Sequence, residues 1–233
     1  MPLPFDVAYR LRLVRERMTM ACTNAGRVAN LVHLLAVSKN FSADDVVKVH
    51  LAGQADFGEN YVQEGLEKIA ALAHLPLTWH FIGPIQSNKT RPIAENFAWV
   101  HGVDRLKIAK RLSSQRPGNM ADLQLCIQVN VSGEASKSGV APADALELAR
   151  AIARLPRVRL RGLMAIPEPA ESSEKQRAPF RALRKLLDEI NTCGLACDTL
   201  SMGMSADLEA AIHEGATIVR VGTAIFGPRD STQ

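Results

Sequence analysis

The stretch "LLAVSKNFSADD", Leu34 to Asp45, reads as a buried strand that ends on a lysine just before a helix begins. Leu34 to Val37 form a short apolar run. Ser42, followed by Ala43, Asp44 and Asp45, marks a helix start, with a hydroxyl for the first N–H groups and acidic side chains at the positive helix end. The ammonium group of Lys39 has two destinations at such a place. It escapes to solvent, or it sits partly buried beside Leu35 and Val37, where burial favours the free amine that attacks a carbonyl carbon.

The same unit recurs along the chain. Short β-rich runs ("ADFGEN", "TWHFIG", "FAWVHGV", "LCIQVNVS", "LRGLMAIP", "DTLSMGM" and "TIVRVGTAIFG") follow the first one. Amphipathic stretches separate them over 42–52, 61–73, 87–96, 105–115, 142–155, 174–193 and 206–214. Pro142 sits at a helix first turn, and Ser205 precedes "ADLE" as a second capped start. Strands alternating with helices of this length pair in parallel through right-handed crossovers. Eight strands predict an α/β fold, a (β/α)8 TIM barrel, with an additional N-terminal helix carrying Leu11, Leu13, Val14 and Met18. A doubly wound sheet fits less well, because the units are evenly spaced and no GxGxxG turn follows a strand. With no linker or low-complexity segment, one domain over residues 1–233 is expected.

Composition narrows the function classes. Hydrophobic residues make up 47% and charged residues 22% of the 233, an ordinary globular balance. No apolar run approaches the ~20 residues that span a bilayer, and the N-terminus lacks a secretory leader's apolar core. The four cysteines show no zinc spacing and no CxxC pair. The expected compartment is the cytoplasm, with these thiols reduced. A net charge of +4 suits small anions as well as nucleic acid, and aromatics at 5% do not cluster as a nucleic-acid surface requires.

In such a barrel the active site lies at the C-terminal ends of the strands. Those ends carry Lys39, Glu59 and Asn60, Asn130 and Ser132, Met164, Ser201 and Ser205, then Arg220, Gly222 and Thr223, with His80 within strand three. Barrels often build a phosphate site from the loops after strands seven and eight, where glycines admit the ligand to the backbone and a helix start attracts the anion. "SMGMSADLEAAI" and "RVGTAIFG" occupy those two places, although Gly203, Gly222 and Gly227 also read as plain tight-turn residues. Arg220, between Val219 and Val221, needs a partner once buried: a salt bridge to a neighbouring strand, or an acceptor on a ligand. An aldehyde for the lysine, a phosphate and a ring acceptor for the arginine together describe pyridoxal 5′-phosphate (PLP). With arginine as its partner the pyridine nitrogen stays unprotonated, and the ring is a poorer electron sink.

The motifs "AVSK", "FGENYVQEG", "WHFIGPIQSNK", "SKSG", "RGLMAIP", "LSMGMSADLEAAI" and "VRVGTAIFG" resemble those of the pyridoxal-phosphate homeostasis proteins of the YggS/PROSC type, relatives of the alanine racemase N-terminal barrel. They occur in order from about residue 34 to 227. The resemblance implies that Lys39 forms the internal aldimine. It implies that Ser201, Gly222 and Thr223 hold the phosphate, and that Arg220 faces the pyridine nitrogen. Asn60, His80 and Met164 would line the ring pocket. It further implies a role in vitamin B6 homeostasis without established turnover, with PLP-dependent apoenzymes as candidate recipients. Phe41, two residues after the lysine, departs from the family pattern and would pack on the first helix or narrow the pocket mouth. Lys137 in "GEASKSG" reads either as a second anion contact or as a solvated loop lysine.

Two rival activities stay open. A PLP-dependent racemase or decarboxylase would need a second acid–base group, which related barrels take from a further β-rich domain. Here the chain ends shortly after Gly227, and Tyr9 and Tyr61 are poorly placed to replace that group. An aldolase would use Lys39 directly on a substrate carbonyl, with Glu59 beside it. Either a monomer or a weak dimer fits.

Overall fold

The computed structural model describes residues 6–133 and 138–228. Eight parallel strands close into a barrel in sequence order: β1 (His33–Val37), β2 (Asp56–Glu59), β3 (Thr78–Phe81), β4 (Trp99–Val103), β5 (Leu123–Gln128), β6 (Val158–Met164), β7 (Thr199–Ser201) and β8 (Ile218–Val221). β1 returns to β8 with Leu35 opposite Arg220 and Ala36 opposite Val221, so no strand edge is left open.

Helices α2 (Ala43–Leu51), α3 (Val62–Ala71), α4 (Thr90–Asn96), α5 (Leu106–Gln115), α6 (Ala145–Ile152), α7 (Ser173–Thr192) and α8 (Leu208–His213) follow the first seven strands in turn. After β8 comes only the single turn α9 (Thr223–Phe226). The N-terminal helix α1 (Val7–Asn24) packs on α8, α9 and α2 and so fills the ring where an eighth long helix would stand. Leu11, Val14, Met18 and Cys22 form its buried stripe, and Arg17 ties it to Glu209 of α8 at 2.8 Å.

Local chemistry accounts for most of these boundaries. Ser42 and Asp45 make a reciprocal capping box at α2. Pro142 opens a 3-10 turn that leads into α6. Ser205, expected as a helix cap, instead lies in a turn: the Met204 N–H donates to Asp207 Oδ1, and α8 starts three residues later. Outward-facing Phe57, Phe81 and Val100 pack under the helices with Phe97, Ile108 and Leu112, all fully buried. No described helix is long and apolar enough to cross a membrane.

One backbone contact constrains the barrel wall. On β6, Gly162 lies opposite Thr199, beside a register shift against β5, and a Cβ there would stand 1.9 Å from the Thr199 carbonyl oxygen. Gly162→Ala should therefore cost about 3 kcal/mol, as overpacked sites do, and lower Tm by roughly 6–12 °C for a chain of this size. A thermal melt within 2 °C of the parent would show that β6 and β7 yield to the methyl group.

Candidate functional site

The C-terminal mouth of the barrel opens into a cavity of about 750 Å³. Lys39, Asn60, Arg220, Gly222 and Thr223, scattered over the sequence, all line it. Val37 and Phe41 from the β1 end, Gln128 from β5 and the turn Met204–Ala206 after β7 complete much of the wall.

The β1 end is held from behind by a buried ion cluster. Lys68 of α3 places its ammonium 2.8 Å from Glu59 Oε1, 2.6 Å from Glu64 Oε1 and 2.7 Å from the Ser38 carbonyl oxygen, to which it donates. The Ser38 hydroxyl donates to Glu59 at 2.6 Å and the Asn40 N–H donates to Glu64 at 2.6 Å. Both neighbours of Lys39 are thus tied to the same three charges, and Asn40 takes a positive φ of 63° in the process. Burial pushes the Glu59 carboxyl above the usual carboxylate range, although Lys68 and Ser38 pull the other way, and its Oε2 has no partner. Glu59 is fully buried and lies outside the cavity wall, so it does not stand beside Lys39 as the aldolase reading requires.

Arg220 is buried in the barrel interior, and among the described residues no carboxylate lies within salt-bridge reach. Its Nη1 donates to the Ser201 carbonyl at 2.6 Å and to Ser201 Oγ at 2.8 Å, and its Nη2 donates to the Ala165 carbonyl at 2.9 Å. Burial pushes the guanidinium down to about 10. The neighbouring-strand salt bridge is therefore absent. Neutral oxygens hold the group, with two of its five N–H donors left over where it borders the cavity.

Three expected residues lie elsewhere. The Ser201 hydroxyl faces inward below the rim and is engaged by Arg220 and by His101 Nδ1 at 2.8 Å, whereas Ser205 stands on the cavity wall. His80 lies deeper, bonded to His101 and Asp56 and stacked on Trp99, and it lines a separate cavity at the opposite, lower mouth. Met164 is fully buried off the cavity, whose wall at β6 is formed by Ile166 and Pro167 beyond the strand. Phe41 lines the cavity as expected, but it stacks on Phe226 of α9, with centroids 4.7 Å apart, rather than on the first helix. Lys137 lies outside the described residues. Sequence reading placed Ser205 at the rim but missed Gln128 as a wall residue, and His101 altogether. The signal for His101 was its inward parity with Trp99 along β4.

Residues 17–230 match the family model "Alanine racemase, N-terminal domain". A protein of Pseudomonas aeruginosa named pyridoxal phosphate homeostasis protein is 62% identical over 224 residues, 96% of each chain. Its namesake in Escherichia coli K12 is 50% identical over 97% of each chain. This chain belongs to the pyridoxal phosphate homeostasis family, within the alanine racemase N-terminal domain group. Among solved structures, PipY of Synechococcus elongatus with PLP bound superposes with a TM-score of 0.83 at 37% identity, covering 95% of this chain and all of that one. An alanine racemase of Clostridium difficile shares the fold at a TM-score of 0.73 and 14% identity, with this chain spanning 58% of its length.

The ion cluster predicts a pH-dependent stability defect. Lys68→Met leaves Glu59 buried without its cation, which should cost about 3–5 kcal/mol at neutral pH. A raised folded pKa means that the native state takes up the proton first. The defect should therefore shrink as pH falls through the Glu59 transition toward the ordinary carboxylate range. Urea melts at pH 7 and pH 5 measure this, and an equal defect at both would remove Glu59 as its source.

Proposed function

We propose that the cavity holds pyridoxal 5′-phosphate on Lys39, and that the protein carries this cofactor for vitamin B6 homeostasis rather than turning over a substrate with it. The observation behind this reading is the convergence on one wall of a half-buried lysine, a buried arginine that no carboxylate neutralises, and the turns after β7 and β8. Its relatives' names and the PLP-bound PipY structure support it.

The residues present fit the group. When bound, PLP supplies an aldehyde that condenses with a primary amine with loss of water, and a pyridine ring that can withdraw electrons from that nitrogen's substituents. Lys39 supplies the amine, held in place by the fixed backbone on either side of it. The first turn of α9 and the turn at Ser205 offer N–H groups to the phosphate. At Gly222 a Cβ would stand 3.2 Å from the Val37 carbonyl oxygen, so glycine keeps that corner open beside the lysine strand. The leftover Arg220 donors would face the pyridine nitrogen. A guanidinium can only donate, so it leaves that nitrogen without a proton and weakens the electron withdrawal that carbanion chemistry needs.

The wall supports carriage over turnover. Among its described residues Lys39 and Arg220 are the only titratable side chains. Tyr61 is exposed at the start of α3 and Glu59 is sealed behind β2, so neither is a second base within reach of a Cα proton. The four cysteines are unpaired, which agrees with the reducing cytoplasm as the place of work. PLP-dependent apoenzymes are the recipients this reading calls for.

Absorption spectroscopy tests it. Wild-type protein with PLP should show a yellow band that borohydride bleaches, fixing the cofactor to residue 39, while Lys39→Ala should show no such band. Neither enantiomer of alanine should be racemised on overnight incubation. A colourless wild type with PLP added ends the proposal, and rapid racemisation ends its carrier half.

A further inference from the structure

Arg220 rests on Ser201, and Ser201 rests on a row of side chains that the cofactor cavity does not touch. Down the barrel interior, Ser201 Oγ lies 2.8 Å from His101 Nδ1, His101 Nε2 lies 3.0 Å from His80 Nδ1, and His80 Nε2 lies 3.2 Å from Asp56 Oδ1. Both rings are enclosed, while the Asp56 side chain is 41% exposed at the lower mouth. Four side chains from β2, β3, β4 and β7 thus connect the lower mouth to the arginine at the upper one. Burial pushes both imidazoles down, His101 furthest, with His80 and Arg220 nearby adding to the effect on it. Each ring is therefore neutral and carries a single N–H.

Counting donors fixes the direction of the row. The Asp56 carboxylate accepts, so His80 bears its proton on Nε2 and accepts at Nδ1. His101 must then donate from Nε2 and accept at Nδ1, which takes the Ser201 hydroxyl proton. With that proton turned away, Ser201 Oγ presents only lone pairs to Arg220 Nη1. The reverse order would set a bare His80 Nε2 against a carboxylate, two acceptors with no proton between them.

We propose that His80, His101 and Ser201, anchored on Asp56, are positioning residues for Arg220. Their one-way hydrogen bonds fix the plane of the guanidinium, and so aim its two remaining donors into the cavity. The consequence for the cofactor rests on the PLP reading above, but the chain itself does not.

Nitrogen-15 NMR of the imidazoles in cofactor-free protein tests the chain alone: both rings should be Nε2–H tautomers, and a proton on His101 Nδ1 would overturn the proposal. The second arm uses bound PLP, comparing wild type with Ser201→Ala, His101→Leu and His101→Asn, whose side-chain oxygen can still accept from Ser201. Ser201→Ala and His101→Leu should shift the visible band and lose PLP roughly tenfold faster, the effect of one hydrogen bond to a charged group. His101→Asn should fall nearer to wild type. A merely structural role would lower Tm and leave the band in place, and that result would sink the idea. If His101→Leu does not fold, the smaller change Ser201→Ala decides. A wild type that takes up no PLP would fail the cofactor reading, while the tautomer measurement still judges the chain.

Discussion

Closure of the barrel is the constraint from which the site follows. β1 and β8 lie at opposite ends of the chain, and their pairing sets Leu35 beside Arg220 and Ala36 beside Val221. Continue both strands by a few residues and Lys39 stands next to Gly222 and Thr223. The amine, the arginine and the glycine turn are therefore neighbours by register, without any long side chain reaching across the mouth. An open sheet would separate β1 from β8 and dismantle the site along with the fold.

Two buried charges flank that seam, and they are stabilised in opposite ways. Lys68 meets two carboxylates and a carbonyl, so its charge is more than compensated and the surplus falls on Glu59. Arg220 hydrogen-bonds only to carbonyl and hydroxyl oxygens, and the nearby Asp207 compensates its charge only from beyond salt-bridge distance. A buried ion pair gains little net stability over apolar packing. Its effect here is geometric, because the Lys68 cluster grips the backbone of both residues that flank Lys39. The guanidinium, without a contacting carboxylate, does the converse: it leaves positive potential beside the cavity, where a ligand with an acceptor and a phosphate is favoured.

Strand–helix alternation made the barrel legible in the sequence, and the rule that function collects at C-terminal strand ends picked out Lys39, Asn60, Arg220, Gly222 and Thr223. The misplacements share one physical origin. β7 has three residues, so Ser201 is both the last residue of the strand and an inward-pointing one, and an inward side chain at that level lies under the rim rather than on it. His80 fails by depth: its strand begins at Thr78, and it projects inward below the rim on the same level as Trp99 of β4. Strand parity separates inside from outside, but the stagger between strands sets the depth, and stagger is not written in any single strand's pattern. Ser205 was placed at the rim, and only its reading as a helix cap failed. Its sequence looks like a helix cap, yet Asp207 captures the Met204 N–H and delays the helix, which leaves the serine on the cavity wall.

The distribution of titratable groups separates holding a cofactor from using it. Proton transfer at a carbon next to the cofactor needs a base whose protonation changes near the working pH and whose position is within hydrogen-bond reach. The histidines suited to that by chemistry, His80 and His101, lie below Arg220, and burial keeps both rings neutral. The acids behind the lysine strand, Glu59 and Glu64, are both tied to Lys68, and neither lines the cavity. What borders the cavity is an amine, a guanidinium, amides, hydroxyls and apolar groups, with Phe41 stacked on Phe226 in its wall. Such a lining suits an aldehyde, a ring nitrogen and a phosphate, and among the described residues it holds no second proton carrier.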